Sequence, residues 1–171
     1  MGCDAHMYVE YKRKKSERDY WFSFGKRINP GRNYWLFGLM SKGVRSEFPK
    51  SLEAKGMPDN AAYESRGDNQ LYIVDENPND TEGWCTMEQA KQWETYGCKF
   101  VNNTKGNPTW ITHPDWHSHT WLTTEEFKKV IDSYNSMDNS HSGCEYEALL
   151  SAMQKLEEFD NEVRVVVWFD N

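Results

Sequence analysis

Apolar and polar residues alternate along the first part of the chain. Over residues 5–12, one side carries Ala5, Met7, Val9 and Tyr11, and the other carries His6, Tyr8, Glu10 and Lys12. A period of two is typical of a half-buried β-strand. The charged link over residues 13–18 suits a solvent-exposed turn. We therefore predict that the aromatic segment 19–24 forms the hairpin partner of this strand.

Four later segments have the spacing of amphipathic helices. Residues 33–40 follow an Asn-Pro-Gly turn, and residues 86–96 form a second short candidate. The clearest helix start is the capping box formed by Thr123 and Glu126, because an apolar stripe with helical spacing follows it. A fourth helix is predicted over residues 145–159.

The last apolar run and the intervening loops complete the predicted fold. Residues 163–169 are apolar on both faces, which is typical of a central strand. Long loops are expected over 46–80, with one short strand at 71–74, and again before Thr112. This order predicts one α+β domain over residues 1–171, with a small, mostly antiparallel sheet that includes both terminal strands and helices packed on one side.

Composition changes the expected core. Ile, Leu and Val are scarce, but the chain holds eight Trp, nine Tyr and eight Phe, so large rings must supply much of the buried area. The four cysteines form no Cys-x-x-Cys pair and are expected to be free thiols.

Charge and hydropathy exclude several classes of function. The net charge of −7 argues against general nucleic-acid binding, which requires Lys and Arg to neutralise phosphates. No apolar run approaches 18 residues and no signal-like segment opens the chain. We therefore expect no membrane association and a cytoplasmic location, which is the host cytosol if the gene belongs to a phage.

The histidines carry the most informative chemistry. Four of the five fall into two groups, each beside an aspartate. Near neutral pH an imidazole acts as a general base, a general acid or a metal ligand, and a neighbouring carboxylate fixes its tautomer. We predict that the two groups converge in space. If the protein is an enzyme, the catalytic residues are Asp4, His6, Asp115, His117 and His119.

A structural interpretation competes with the catalytic one. The histidines could satisfy buried backbone groups while the aspartates cap turns. In either case, we expect His117 and His119 on a loop that enters the helix beginning near Thr123, where unsatisfied N–H groups favour an anion. His113 and His117 have His-x3-His spacing, and His141 with Cys144 forms a His-x2-Cys pair, but the Cys-x2-Cys partner of a structural zinc site is absent. We therefore assign no metal ligands and no cofactor, with a divalent metal only in a hydrolase.

Aromatic rings near loops and helix starts could stack on a flat ligand, and nearby arginines could hold its phosphates. The competing interpretation is that most rings belong to the core, because aliphatic residues are so few. The residues assigned to ligand binding are Arg32, Tyr34, Trp35, Arg45, Trp116 and Trp121.

Three blocks of the chain carry a resemblance. They are the opening Met-Gly-Cys-Asp-Ala-His, the segment Arg32-Asn33-Tyr34 before Leu36-Phe37, and residues 116–122. These blocks resemble an uncharacterised family of small phage and bacterial proteins that open with Met-Gly-Cys-Asp-Ile-His, and Ala5 replaces the usual Ile. Because that family has no assigned activity, the resemblance implies no catalytic role. It implies that the two histidine blocks are family hallmarks and suggests a phage accessory gene.

The leading functional hypothesis is a phage-type accessory protein, expected to be a homo-oligomer, that binds and sequesters a small nucleotide-like ligand serving as a host-defence signal. One alternative is a His/Asp-dependent phosphodiesterase or other hydrolase, with or without an assisting metal, that acts on such a nucleotide. The other is an acidic inhibitor of a host enzyme, supported only by the net charge.

Overall fold

The computed structural model describes residues 2–15, 17, 19–74, 83–101 and 109–170. Its elements in chain order are β1 (Ala5–Arg13), β2 (Phe22–Ser23), α1 (Tyr34–Met40), α2 (Tyr63–Asp68), β3 (Gln70–Val74), β4 (Trp84–Thr86), α3 (Met87–Glu94), β5 (Phe100–Val101), β6 (Trp110–Thr112), β7 (His117–Thr123), α4 (Thr124–Asn135), α5 (Cys144–Glu158) and β8 (Asn161–Phe169). The chain divides into a larger unit, residues 1–65 with 117–171, and a smaller unit, residues 66–116. The expectation of a single domain stays a prediction.

The larger unit is built on an antiparallel sheet with the strand order β2-β1-β8-β7. The two terminal strands pair along their whole length, from Ala5 opposite Phe169 to Arg13 opposite Asn161. Because β8 has a strand on each side, its central position is confirmed, as is the α+β class with both terminal strands in the sheet.

Helices cover one face of this sheet. The odd-numbered residues of β1 and β8, such as Met7 and Val165, lie in one buried cluster with side chains of α1, α4 and α5. The even-numbered residues point to the opposite face, as strand geometry requires. The chain between residues 53 and 65 contacts that second face, where the Gly56 N–H donates to the His119 carbonyl over 2.9 Å and the Ala62 N–H donates to Glu10.

Side-chain caps mark the starts of α1, α3 and α4. Thr123 caps α4 through the predicted capping box, in which Thr123 and Glu126 bond each other's backbone N–H groups. Thr86 and Gln89 form the same motif at α3. The Asn33 side chain accepts from the Leu36 N–H and begins α1.

The predicted loop around the second histidine group is wrong, because His117 to Thr123 form β7. Thr120 and Leu122 are buried, and a register shift between His117 and Thr120 bulges the strand. Ser118 adopts a positive φ of 51° at this bulge. A bulge re-aims the side chains beside it, so simple alternation does not reveal this strand.

The smaller unit contains a second sheet with the strand order β4-β3-β6-β5. Its core is formed by Leu71, Ile73, Cys85, Ala90 and Ile111, with Ala90 supplied by α3. Strands β5 and β6, like α2, fall where only loops were expected, and β4 ends at Thr86, where the helix predicted over 86–96 begins. These strands span two or three residues, too short for a periodic signal.

Within the described residues, no helix combines the length and the apolar character that crossing a membrane requires. All four cysteines are free thiols, and Cys3 and Cys85 are buried.

Candidate functional site

The two histidine blocks meet on either side of one tryptophan. On β1, His6 pairs in register with Trp168 of β8, and on β7 His119 lies beside the same ring. The ring centroids are 6.2 Å apart for His6 and Trp168 and 6.1 Å apart for His119 and Trp168. The two predicted blocks therefore approach each other at His6 and His119, on opposite sides of Trp168, and β8 rather than a helix N-terminus brings these two residues together.

Both ring nitrogens of His6 have hydrogen-bonding partners. Its Nε2 lies 2.9 Å from Asp170 Oδ2, and its Nδ1 lies 3.1 Å from Asn29 Oδ1. A carboxylate at one nitrogen fixes the orientation of an imidazole. His6 is only 7% exposed, so these contacts hold a buried ring in place.

Asp4 belongs to the same network. It forms a bidentate ion pair with Arg32, whose Nη2 lies 2.8 Å from Asp4 Oδ2. The hydrogen bond from Arg32 lowers the pKa of the Asp4 carboxyl. The Asp4 N–H also donates to Asp170 Oδ1 over 2.7 Å, and the Asp170 N–H donates to the Asp4 carbonyl. This terminal network of Asp4, His6, Asn29, Arg32 and Asp170 therefore ties the two ends of the chain together.

His117 and His119 differ in their surroundings. The Nδ1 of His117 lies 2.9 Å from Ser118 Oγ, while its buried Nε2 has no hydrogen-bond partner among the residues that the structure describes. Burial lowers the pKa of His119 to about 4, and the nearby charge of His117 adds to this effect. His119 is therefore neutral at physiological pH.

The depressed pKa of His119 predicts that acid destabilises the fold. A histidine in the unfolded chain has a pKa near 6.5, whereas the folded His119 has a pKa of about 4. Between these two pH values the unfolded chain therefore binds a proton that the folded chain does not. The contribution of His119 to the free energy of unfolding is fully present above about pH 6.5 and is lost as the pH falls towards 4. We expect wild-type protein to lose about 1–2 kcal/mol more than His119→Gln between about pH 7 and pH 5, measured by urea unfolding.

His141→Gln is the matched control, because His141 is an exposed histidine in the larger unit. It should keep the wild-type pH dependence. Equal pH slopes for wild type and His119→Gln would contradict the assignment of a neutral, buried His119.

The remaining catalytic candidate, Asp115, lies in the smaller unit, together with Trp116. There the Asp115 N–H donates to Nδ1 of His113 over 3.3 Å, and the His113 ring stacks on Trp116 with centroids 4.3 Å apart.

Two of the predicted arginines converge with a tyrosine at Gly2. Arg45 Nη2 donates to the Gly2 carbonyl over 3.3 Å, and its guanidinium lies 5.7 Å from the centroid of the Tyr34 ring. The Arg32 guanidinium occupies the space that a Cβ on Gly2 would need. The Tyr34 hydroxyl accepts from the Cys3 N–H. We call Arg32, Tyr34 and Arg45 the arginine surface.

The other predicted ring residues of the larger unit lie elsewhere. Trp35 is about half exposed on α1 and stacks on Phe48 with centroids 5.0 Å apart. Trp121 packs against Lys55, whose Nζ is 4.0 Å from the ring centroid. Neither contact brings these rings to the arginine surface.

A buried ion pair was missed at the sequence level. Arg164 Nη2 and Nε each lie 2.7 Å from Glu10 Oε2, and the two side chains are 6% and 0% exposed. The Ala62 N–H and Ser65 Oγ donate to Glu10 Oε1 over 2.8 and 2.6 Å. Burial lowers the pKa of Arg164, and the charge of Glu10 opposes this shift. The sequence signal that could have revealed this ion pair is Arg164, a charged residue inside the apolar strand β8, because a buried charge needs a buried partner.

The described residues contain no cluster of three or more His, Cys, Asp or Glu side chains arranged to hold a metal ion. No family model matches the chain, and neither a curated protein nor a solved structure does. The resemblance to small phage and bacterial proteins therefore stays a prediction.

Proposed function

We propose that this protein binds a small nucleotide-like ligand at the arginine surface. The observation that carries the proposal is the convergence of two exposed guanidinium groups and an exposed tyrosine ring at Gly2. Four of the six residues assigned to ligand binding are supplied by the segment 32–45, and three of them form this surface.

The arginines suit the phosphate part of such a ligand. A guanidinium donates two parallel hydrogen bonds to a phosphate, which adds both energy and orientation. Asp4 already holds the Arg32 side chain in a bidentate pair, so the position of Arg32 is set before a ligand arrives. Arg45 then supplies a second guanidinium beside the Tyr34 ring.

The ring supplies affinity that does not depend on charge. Tyr34 is 37% exposed, and stacking of a base on an aromatic side chain contributes about 1–3 kcal/mol. Together these groups match a ligand that combines a flat base with one or more phosphates. For a phage accessory protein, holding such a ligand would withdraw a host-defence signal from its receptor.

Isothermal titration calorimetry with cyclic dinucleotides and ADP-ribose tests the proposal. We expect one of these probes to bind and Arg45→Ala to weaken that binding by about tenfold or more, because a charge-assisted phosphate contact is lost. Tyr34→Ala should weaken it by a similar factor through lost stacking.

The control variant is Lys129→Ala, which removes an exposed positive charge from α4. It should bind like the wild type, since Lys129 pairs with Glu125 on its own helix. The absence of binding to any probe would overturn the proposal. Wild-type affinity in Arg45→Ala would do the same.

The hydrolase alternative draws on one observation, the buried Nε2 of His117 without a partner among the described residues. A ring nitrogen in that state could take part in proton transfer. Chromatography of the nucleotide recovered after long incubation with supplied divalent metal separates the two functions. Intact nucleotide supports binding alone, whereas product that disappears in His117→Gln supports hydrolysis.

A further inference from the structure

A groove of about 510 Å³ opens in the larger unit beside the C-terminal end of β1. It is lined by Tyr11, Arg13, Lys15, Phe24, Leu156, Phe159, Asp160 and Asn161. The arginine surface lies near Asp4, at the other end of β1. An extended strand rises about 3.4 Å per residue, so nine residues place the two features roughly 30 Å apart. The groove is therefore independent of the proposed nucleotide site.

Aromatic side chains form the apolar part of the groove. Phe159 follows the last turn of α5 and is 72% exposed, and Phe24 beyond β2 is 47% exposed. Tyr11 also lines the groove and packs against the core, with its ring 5.8 Å from that of Phe22. Exposed rings gathered in a concave, polar-rimmed surface are typical of a binding site.

Most polar groups in the lining already have partners within the protein. Lys15 Nζ lies 3.0 Å from Asp160 Oδ2, and this ion pair lowers the pKa of Asp160. The Asn161 side chain donates to the Leu156 carbonyl over 2.8 Å. Arg13 is exposed and makes no ion pair with any residue that the structure describes. The guanidinium of Arg13 is thus the charge best placed to meet a ligand.

We propose that this groove binds a small aromatic anion, a flat ring system that carries one acidic group. The ring system stacks against Phe24 and Phe159, and the anionic group pairs with Arg13. The volume lies within the range of about 300–1,000 Å³ that small-molecule pockets occupy. Because Asp160 already neutralises Lys15, the guanidinium of Arg13 is the groove's unpaired charge among the described residues, and it favours an anionic ligand.

A matched pair of fluorescent probes tests both parts of the proposal. 1-Anilinonaphthalene-8-sulfonate carries the required anion, and N-phenyl-1-naphthylamine has the same ring system without it. We expect the sulfonate to bind about tenfold more tightly than the neutral amine. Arg13→Ala should remove that preference and leave the affinity for the neutral probe unchanged. Phe159→Ala should weaken the binding of both probes.

The overturning results are specific. Equal affinity for the two probes, or a sulfonate affinity unchanged in Arg13→Ala, would show that the groove binds rings without recognising an anion, and would overturn the proposal. No saturable binding of the sulfonate would also overturn the proposal. Titration of Arg45→Ala separates this groove from the arginine surface. If Arg45→Ala loses sulfonate binding and Arg13→Ala keeps it, the probe binds at the arginine surface and not in the groove. Thermal unfolding of each variant confirms that it is folded under the assay conditions.

Discussion

Arg164→Ala is expected to destabilise the protein by about 3–5 kcal/mol, because it leaves the carboxylate of Glu10 buried without its counter-ion. Both side chains are almost wholly inaccessible, and among the described residues Glu10 keeps only the hydrogen bonds from Ala62 and Ser65. The variant also loses the contact of the guanidinium with the Trp21 ring, 3.8 Å from its centroid. Urea unfolding followed by circular dichroism measures the loss as a lower midpoint.

Two further variants make this result interpretable. Lys128→Ala breaks an exposed i,i+4 ion pair with Asp132 and should change stability by only about 0.5 kcal/mol. The double variant Glu10→Leu/Arg164→Leu removes both charges and should be more stable than Arg164→Ala, since no unpaired charge stays buried. A loss in Arg164→Ala as small as that in Lys128→Ala would contradict the ion pair, and the double variant provides the test if Arg164→Ala does not fold.

Trp168→Ala is expected to cost about 3–5 kcal/mol, as truncating a fully buried tryptophan leaves a large cavity. Trp168 is inaccessible in the central strand, and its ring stacks on Tyr8 with centroids 5.8 Å apart. It also separates His6 from His119, so truncation loosens both histidine blocks. Calorimetric thermal unfolding should show a midpoint lower by roughly 6–20 °C for a domain of this size.

Trp35→Ala is the matched control, because Trp35 is 53% exposed and its ring stacks on Phe48. We expect it to cost less than about 1.5 kcal/mol. Similar losses in the two tryptophan variants would show that Trp168 is not the packing centre of the sheet.

Sequence patterns predicted the elements whose signals are local. The alternation over residues 5–12 identified β1, the capping box of Thr123 and Glu126 identified the start of α4, and the apolar run at the end of the chain identified β8. These signals depend on neighbours within one or two turns or along one strand, so they can be read without tertiary information.

The candidate site was predicted in part for the same reason. The spacing of histidines beside aspartates selected the two blocks that meet at Trp168, and the segment from Arg32 to Arg45 supplied the arginine surface. The sequence could not show that Asp115 belongs to the smaller unit, or that both nitrogens of His6 are already engaged by Asn29 and Asp170.

The sequence by itself determined the element types with strong periods, the predominance of aromatic residues and the acidic net charge. Only the tertiary structure decided the contacts between distant residues, such as Glu10 with Arg164, 154 positions apart, and Asp4 with Asp170, 166 positions apart. It also decided that the polar segment from His117 is a strand, because β8 supplies the hydrogen bonds that make it one. Short strands and buried ion pairs are stabilised by partners far away in the chain, and no local pattern records those partners.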